Sequence, residues 1–126
     1  MANILVVDDE PALLESMRTY LTRLGHSVTA FQNAESAWQR FTANLLAFSV
    51  VIVDMTLEGM HGEEFIRKVL DRNPAIAVLA TSGYPGWLHN FEGPPGARIA
   101  MLEKPFTPRM LTEALARLLE EESSAN

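Results

Sequence analysis

Apolar positions along the chain follow two rhythms. Unbroken runs at Asn3-Ile4-Leu5-Val6-Val7, Val50-Val51-Ile52-Val53 and Ile76-Ala77-Val78-Leu79-Ala80-Thr81 read as strands, and the β-branched run before Asp54 reads as buried on both faces. Arg98 to Leu102 gives a further strand, and His26 to Phe31 a more polar one nearer a sheet edge. Between them the apolar residues recur at helical spacing: Leu13, Leu14, Met17, Leu21 and Leu24; then Ala37, Trp38, Phe41 and Leu45; then Phe65, Ile66, Val69 and Leu70; and finally Leu111, Ala114, Leu115, Leu118 and Leu119. Boundary residues agree. Pro11 suits a first helical turn because its missing N–H is not needed there. Gly25 reads as the residue just past a helix end, Asn33 as an N-cap, and Thr107-Pro108 as an N-cap followed by proline. The fourth crossover is the exception. Tyr84 to Gly96 carries Pro85, Pro94 and Pro95 with Gly86, Gly93 and Gly96, so it admits two turns of helix at most. Strands alternating with helices predict a parallel sheet with right-handed crossovers and helices on both faces.

With 126 residues the chain holds one domain with one core, and no repeat or linker divides it. A net charge of −6 argues against nucleic acid as a direct partner. No apolar run reaches membrane-spanning length, and the start, Met-Ala-Asn-Ile, lacks a signal peptide's basic region. The absence of cysteine removes disulfides, thiolate zinc sites and cysteine nucleophiles. A cytoplasmic protein is the expectation.

In an open parallel sheet, ligands bind beyond the carboxyl ends of the strands. There the pattern places Asp8, Asp9 and Glu10 after the first strand, Asp54 after the third, Thr81 and Ser82 after the fourth, and Lys104 after the fifth. Singly, each has a plainer reading. The acidic run is favourable charge at a helix N-terminus, Asp54 caps a loop, Thr81 is a β-branched strand residue, and Lys104 is a surface lysine. His26, His61 and His89 have neither ligand spacing nor a base partner, and Trp38 and Trp87 read as packing. Jointly the cluster is different. Converging carboxylates repel unless a hard cation such as Mg²⁺ relieves them. A lysine and a hydroxyl beside them can hold phosphoryl oxygens, and a carboxylate can itself accept a phosphoryl group as an acyl phosphate.

This set, namely Asp8-Asp9, Asp54 followed by Gly62, Thr81-Ser82 and Lys104-Pro105-Phe106, resembles the response-regulator receiver domain of two-component signalling, over nearly the whole chain. The resemblance implies a (βα)5 flavodoxin-like three-layer sandwich with strand order 2-1-3-4-5, here with the helix of the fourth crossover short or irregular. Its receiver would span 1–122, with 123–126 a frayed tail. It implies that Asp54 takes a phosphoryl group from a histidine kinase or phosphotransfer protein. Asp9, Asp54 and the Thr56 carbonyl would bind Mg²⁺, with Asp8 assisting through water. Lys104 would pair with the phosphoryl group and Thr81 would act as the switch hydroxyl. It implies a cis Lys104–Pro105 peptide, a signalling role without a separate substrate, and output through a homodimer or a downstream protein. The Thr-Ser-Gly-Tyr-Pro and Glu-Lys-Pro-Phe-Thr-Pro segments look most like receivers attached to hybrid sensor kinases.

Three positions depart from the family pattern. Glu58 stands where proline is frequent, Met101 where an aromatic switch residue is usual, and the Pro/Gly-rich stretch where a regular helix belongs. The expectation is that 83–97 rearranges on signalling in place of a swinging ring. Rival readings are a flavodoxin, a haloacid-dehalogenase-type phosphatase and a pseudo-receiver that binds partners without phosphorylation. The flavodoxin reading is opposed by the acidic first loop, which would repel a phosphate, and the phosphatase reading by Thr56, where a second Asp belongs.

Overall fold

The computed structural model describes residues 2–57, 59–83 and 93–124. The element order is β1 (Asn3–Val7), α1 (Pro11–Arg23), β2 (Ser27–Phe31), α2 (Ala34–Ala43), β3 (Val50–Asp54), α3 (Gly62–Arg72), β4 (Ala77–Ser82), β5 (Arg98–Glu103) and α4 (Pro108–Ser124). The five strands form one parallel sheet in the order β2-β1-β3-β4-β5, as the resemblance implied. The polar strand β2 lies at an edge. Helix α4 stays helical to Ser124. The expected rearrangement of 83–97, together with Glu58, Trp87 and His89, falls largely outside the described residues. Among the described residues, no helix is long and apolar enough to cross a membrane.

Alternation along the strands divides the core in two. Leu5, Val7, Val51, Val53, Val78 and Ala80 point to one face and meet Ala37 and Phe41 of α2 and Phe65, Ile66, Val69 and Leu70 of α3. Ile4, Val6, Val50, Ile52, Ala77 and Leu79 point to the other and meet Leu14, Met17 and Leu21 of α1 and Leu111, Ala114, Leu115 and Leu118 of α4. Neighbours on a strand face opposite ways, so an unbroken apolar run is what a sheet covered on both sides demands. Each fully buried aliphatic side chain contributes about 1.5–3 kcal/mol, and β3 is buried along its whole length.

Caps close the helices largely as the sequence indicates. Asn33 accepts the Ser36 N–H at 2.8 Å and Thr107 Oγ1 accepts the Met110 N–H at 3.1 Å. Gly25 follows α1 at φ +98°, a conformation that only glycine adopts cheaply. Two details differ from expectation. Leu45 lies beyond the end of α2, because Asn44 turns extended and its side chain takes the Leu46 N–H at 3.2 Å, a local bond that competes with helix continuation. Leu24, expected on the apolar face of α1, is the exposed C-cap residue instead.

Candidate functional site

The chain leaves β1 toward β2 on one side while β3 lies on the other, so a crevice opens between the carboxyl ends of β1 and β3. Backbone pairing continues past the strand ends and sets what reaches into it. The Asp8 N–H donates to the Phe31 carbonyl at 3.1 Å, the Met55 N–H to the Thr81 carbonyl at 2.8 Å, and the Lys104 N–H to the Ser82 carbonyl at 2.8 Å. Asp54 itself registers against Thr81. Helix α3 presses on this corner from behind. A Cβ on Gly62 would come within 2.4 Å of the Asp54 carbonyl oxygen and 2.6 Å of Met55 Cα, so a side chain there would displace the backbone carrying Asp54.

The side chains converge on Lys104. Its ammonium lies 3.0 Å from Asp8 Oδ2, 3.0 Å from Glu10 Oε1 and 3.1 Å from Asp54 Oδ2. An ammonium has three donors, and three carboxylates surround this one. Burial alone would push the Lys104 pKa down, but the pairing with Glu10, Asp8 and Asp54 outweighs it and holds the pKa above the ordinary lysine value. Asp54 is 0% exposed. Its Oδ1 accepts the Thr56 N–H at 2.9 Å and the Thr56 hydroxyl at 2.7 Å, which leaves Oδ2 to face the lysine. Asp8 is 1% exposed. Burial pushes its pKa up, against the Glu10 N–H, which it accepts at 2.9 Å, and against Lys104.

At this edge Thr81 Oγ1 is buried without a hydrogen-bond partner, while Asp8 Oδ2 meets only the Lys104 ammonium, as an ion pair at 3.0 Å. Leaving a buried hydroxyl such as that of Thr81 unmet costs about 1–3 kcal/mol, and Thr81 stands in register with Asp54 at the strand ends. Carboxylate oxygens, one each from Asp8, Glu10 and Asp54, lie within 4.8 Å of one another, a hard, all-oxygen donor set of the kind Mg²⁺ takes. The cluster thus fits a divalent cation.

Of the residues named from sequence, Asp8, Asp54, Lys104 and Thr81 meet at this edge. Asp9 is half-buried and stands outside the carboxylate triplet, while Thr56 contributes through its bonds to Asp54. The Lys104–Pro105 peptide is cis. Met101 is 39% exposed on β5. His61 occupies the N-cap position of α3, and Trp38 packs against Phe41 and Phe65. Glu10 was placed at this edge from the sequence but given no role of its own, and its bond to Lys104 was not foreseen. The available signal was a glutamate at an N-cap position, where Ser, Thr, Asp or Asn is the usual choice.

Residues 4–116 match the family model for the response regulator receiver domain. The chain is 31% identical to a chemotaxis protein CheY homolog of Campylobacter jejuni, over 92% of this chain and 91% of that protein. It is 32% identical to the response regulator protein FleR of Pseudomonas aeruginosa, over 92% of this chain but 24% of FleR. It is 25% identical to the response regulator receiver protein CpdR of Brucella abortus, over 94% of this chain and 98% of CpdR. Among solved structures, a response regulator receiver domain protein from Clostridium thermocellum superposes with a TM-score of 0.85 at 25% identity, each chain fully covered.

Proposed function

The chain belongs to the response regulator receiver domain family, and we propose that it works as a phosphoacceptor, taking a phosphoryl group onto Asp54 from a histidine kinase or phosphotransfer protein. The observation that carries this reading is the environment of Asp54: a fully buried carboxylate at the carboxyl end of the central strand, with one oxygen fixed by Thr56 and the other turned to Lys104. Holding Oδ1 leaves Oδ2 as the oxygen that attacks phosphorus. Lys104 neutralises the carboxylates before transfer and holds a phosphoryl oxygen after it. Thr81, with its unmet hydroxyl, bonds another phosphoryl oxygen and so reports occupancy to β4 and the segment that follows.

Asp9, Asp54 and the Thr56 carbonyl form the proposed Mg²⁺ site, and Asp8, beside Asp54 on the Lys104 ammonium, assists through water. Bound there, Mg²⁺ offsets the repulsion between the carboxylates and an incoming phosphoryl group. The role is that of a signalling module without a separate substrate. A protein partner, or a second copy of the chain, reads the phosphorylated state.

Incubation with Mg²⁺ and acetyl phosphate tests this, read by intact mass. The wild type should gain one phosphoryl group and Asp54→Asn none, with an unchanged circular dichroism spectrum. A wild type that never gains the mass would favour the pseudo-receiver alternative. A variant labelled as fully as the wild type would move the acceptor elsewhere.

A further inference from the structure

Resting on the reading of Asp54 as phosphoacceptor, we infer that Glu10 selects phosphodonors by charge, disfavouring small dianionic donors. Glu10 precedes Pro11 and occupies the N-cap position of α1, yet its side chain caps nothing. The carboxylate turns away from its own helix, whose free N–H groups and dipole would welcome it, and instead takes Lys104 Nζ at 3.0 Å. The two residues are 94 apart in sequence. The Lys104 side chain is 11% exposed and that of Glu10 60%, so the pair reaches from the buried site to solvent.

Glu10 and Lys104 line a cleft of about 460 Å³ with Leu13, Gly83, Pro105 and Phe106. Within this cleft the lysine is the cation a phosphate would seek, and Glu10 is the negative charge already on it. Asp8 and Asp54, the other two carboxylates on the lysine, are buried and belong to the reaction centre. Glu10 is the exposed one of the three, so its charge can be varied while Asp8 and Asp54 stay in place.

The reaction lets donor charge be varied while the phosphoryl group stays the same. With acetyl phosphate, an Asp54 oxygen bonds to phosphorus, the bond from phosphorus to the bridging oxygen breaks, and acetate leaves with the electron pair. With phosphoramidate, the same oxygen attacks, the phosphorus–nitrogen bond breaks, and ammonia leaves with the pair and the protons it already carried. Near neutral pH acetyl phosphate is a dianion, whereas phosphoramidate is a zwitterion carrying one net negative charge. A unit charge several ångströms away at the edge of solvent changes the encounter with one further charge by about threefold. An effect on lysine position alone would change both donors by the same factor.

The test measures second-order phosphorylation rates of the full chain with each donor at low ionic strength and saturating Mg²⁺, for the wild type, Glu10→Gln and Glu10→Lys. The ratio of the acetyl phosphate rate to the phosphoramidate rate should rise about threefold in Glu10→Gln and further in Glu10→Lys. Added salt should shrink the differences. Circular dichroism melts of the variants confirm folding, and the exposed position makes both substitutions compatible with the fold. A ratio that stays constant while both rates change would overturn charge selection and leave Glu10 a positioning residue for Lys104. A ratio that changes without following the order Glu, Gln, Lys would also overturn it. Absence of labelling with both donors in every variant would instead remove the phosphoacceptor reading, and this inference with it.

Discussion

The two ends of the same sheet are built on opposite terms. At the amino end several main-chain and side-chain polar groups pair within the fold. The Ala2 N–H donates to His26 Nδ1 at 3.0 Å, Ser27 to the Ala2 carbonyl at 2.9 Å, Ser49 to the Asn3 carbonyl at 3.0 Å, and Ala77 to the Ser49 carbonyl at 3.1 Å. The Asn73 amide donates to the Leu45 carbonyl at 3.1 Å. At the carboxyl end, two carboxylates are buried against one ammonium, and the Thr81 hydroxyl has no hydrogen-bond partner. Replacing buried charges by apolar groups is often neutral or stabilising, so stability alone does not account for this arrangement. The proposed ligand accounts for it, because the clustered charges and the Thr81 hydroxyl would become its bonds. One edge secures the fold, and the other holds capacity in reserve.

Lys104→Met should expose that difference most strongly. The substitution keeps the apolar stem and removes the charge, leaving Asp8 and Asp54 buried and uncompensated. A loss of about 3 kcal/mol in urea denaturation is expected. The loss should be partly recovered by millimolar Mg²⁺, and Mg²⁺ should stabilise the variant more than the wild type, because the ion no longer competes with an ammonium. A variant as stable as the wild type without Mg²⁺ would show that the carboxylates are relieved by water and would blunt the contrast between the edges.

Asn73→Ala is the matching change at the amino end. It removes the bond to Leu45 from a residue only 9% exposed, and a loss of about 1 kcal/mol follows. Here Mg²⁺ should stabilise the variant and the wild type equally, since the carboxylate cluster that could hold the ion lies at the other end. Recovery by Mg²⁺ as large as in Lys104→Met would erase the proposed division of labour.

Much of this division was legible in the chain. Strands β1, β3 and β4 are announced by apolar runs too long for a half-exposed strand, and Asp8, Asp54, Thr81 and Lys104 follow from reading what stands at the strand ends. Local cues placed Asn33, Thr107-Pro108 and Gly25. What escaped is longer in range. Reading the strand ends set both Glu10 and Lys104 at this edge, but the 3.0 Å pair between them follows only from the closed sheet. Lys68 and Arg72 stand over the Trp38 ring at 5.5 and 5.7 Å, a contact between helices that periodicity cannot specify. Leu45 fits the apolar stripe of α2, but an Asn44 side-chain bond ends the helix first, a competition between two local preferences that the pattern cannot weigh.

The smallest expected effect lies at the amino end and depends on pH. His26 Nδ1 accepts the Ala2 N–H, so that nitrogen must be unprotonated in the folded chain. Burial, and then the positive charge of the amino terminus, lower the His26 pKa below its ordinary value of 6.5. The folded state therefore resists a proton that the unfolded chain accepts. Stability from this residue is complete above the unfolded pKa, falls as pH drops through it toward the lower folded value, and then levels off once both states are protonated. Asp8 works in the opposite direction. Its raised pKa means that the folded state gains a proton more readily than the unfolded chain, so acid relieves that site as it strains His26. The two edges thus carry pH terms of opposite sign, and a single melting curve reports their sum. His26→Gln separates them, because glutamine offers an acceptor that does not titrate in this range. Between about pH 8 and pH 5, the melting temperature of the wild type should fall more than that of the variant, by an amount smaller than the Asn73→Ala effect because His26 is only partly buried. Parallel curves would mean that protonated His26 finds another acceptable pose, and the amino edge would then be insensitive to acid.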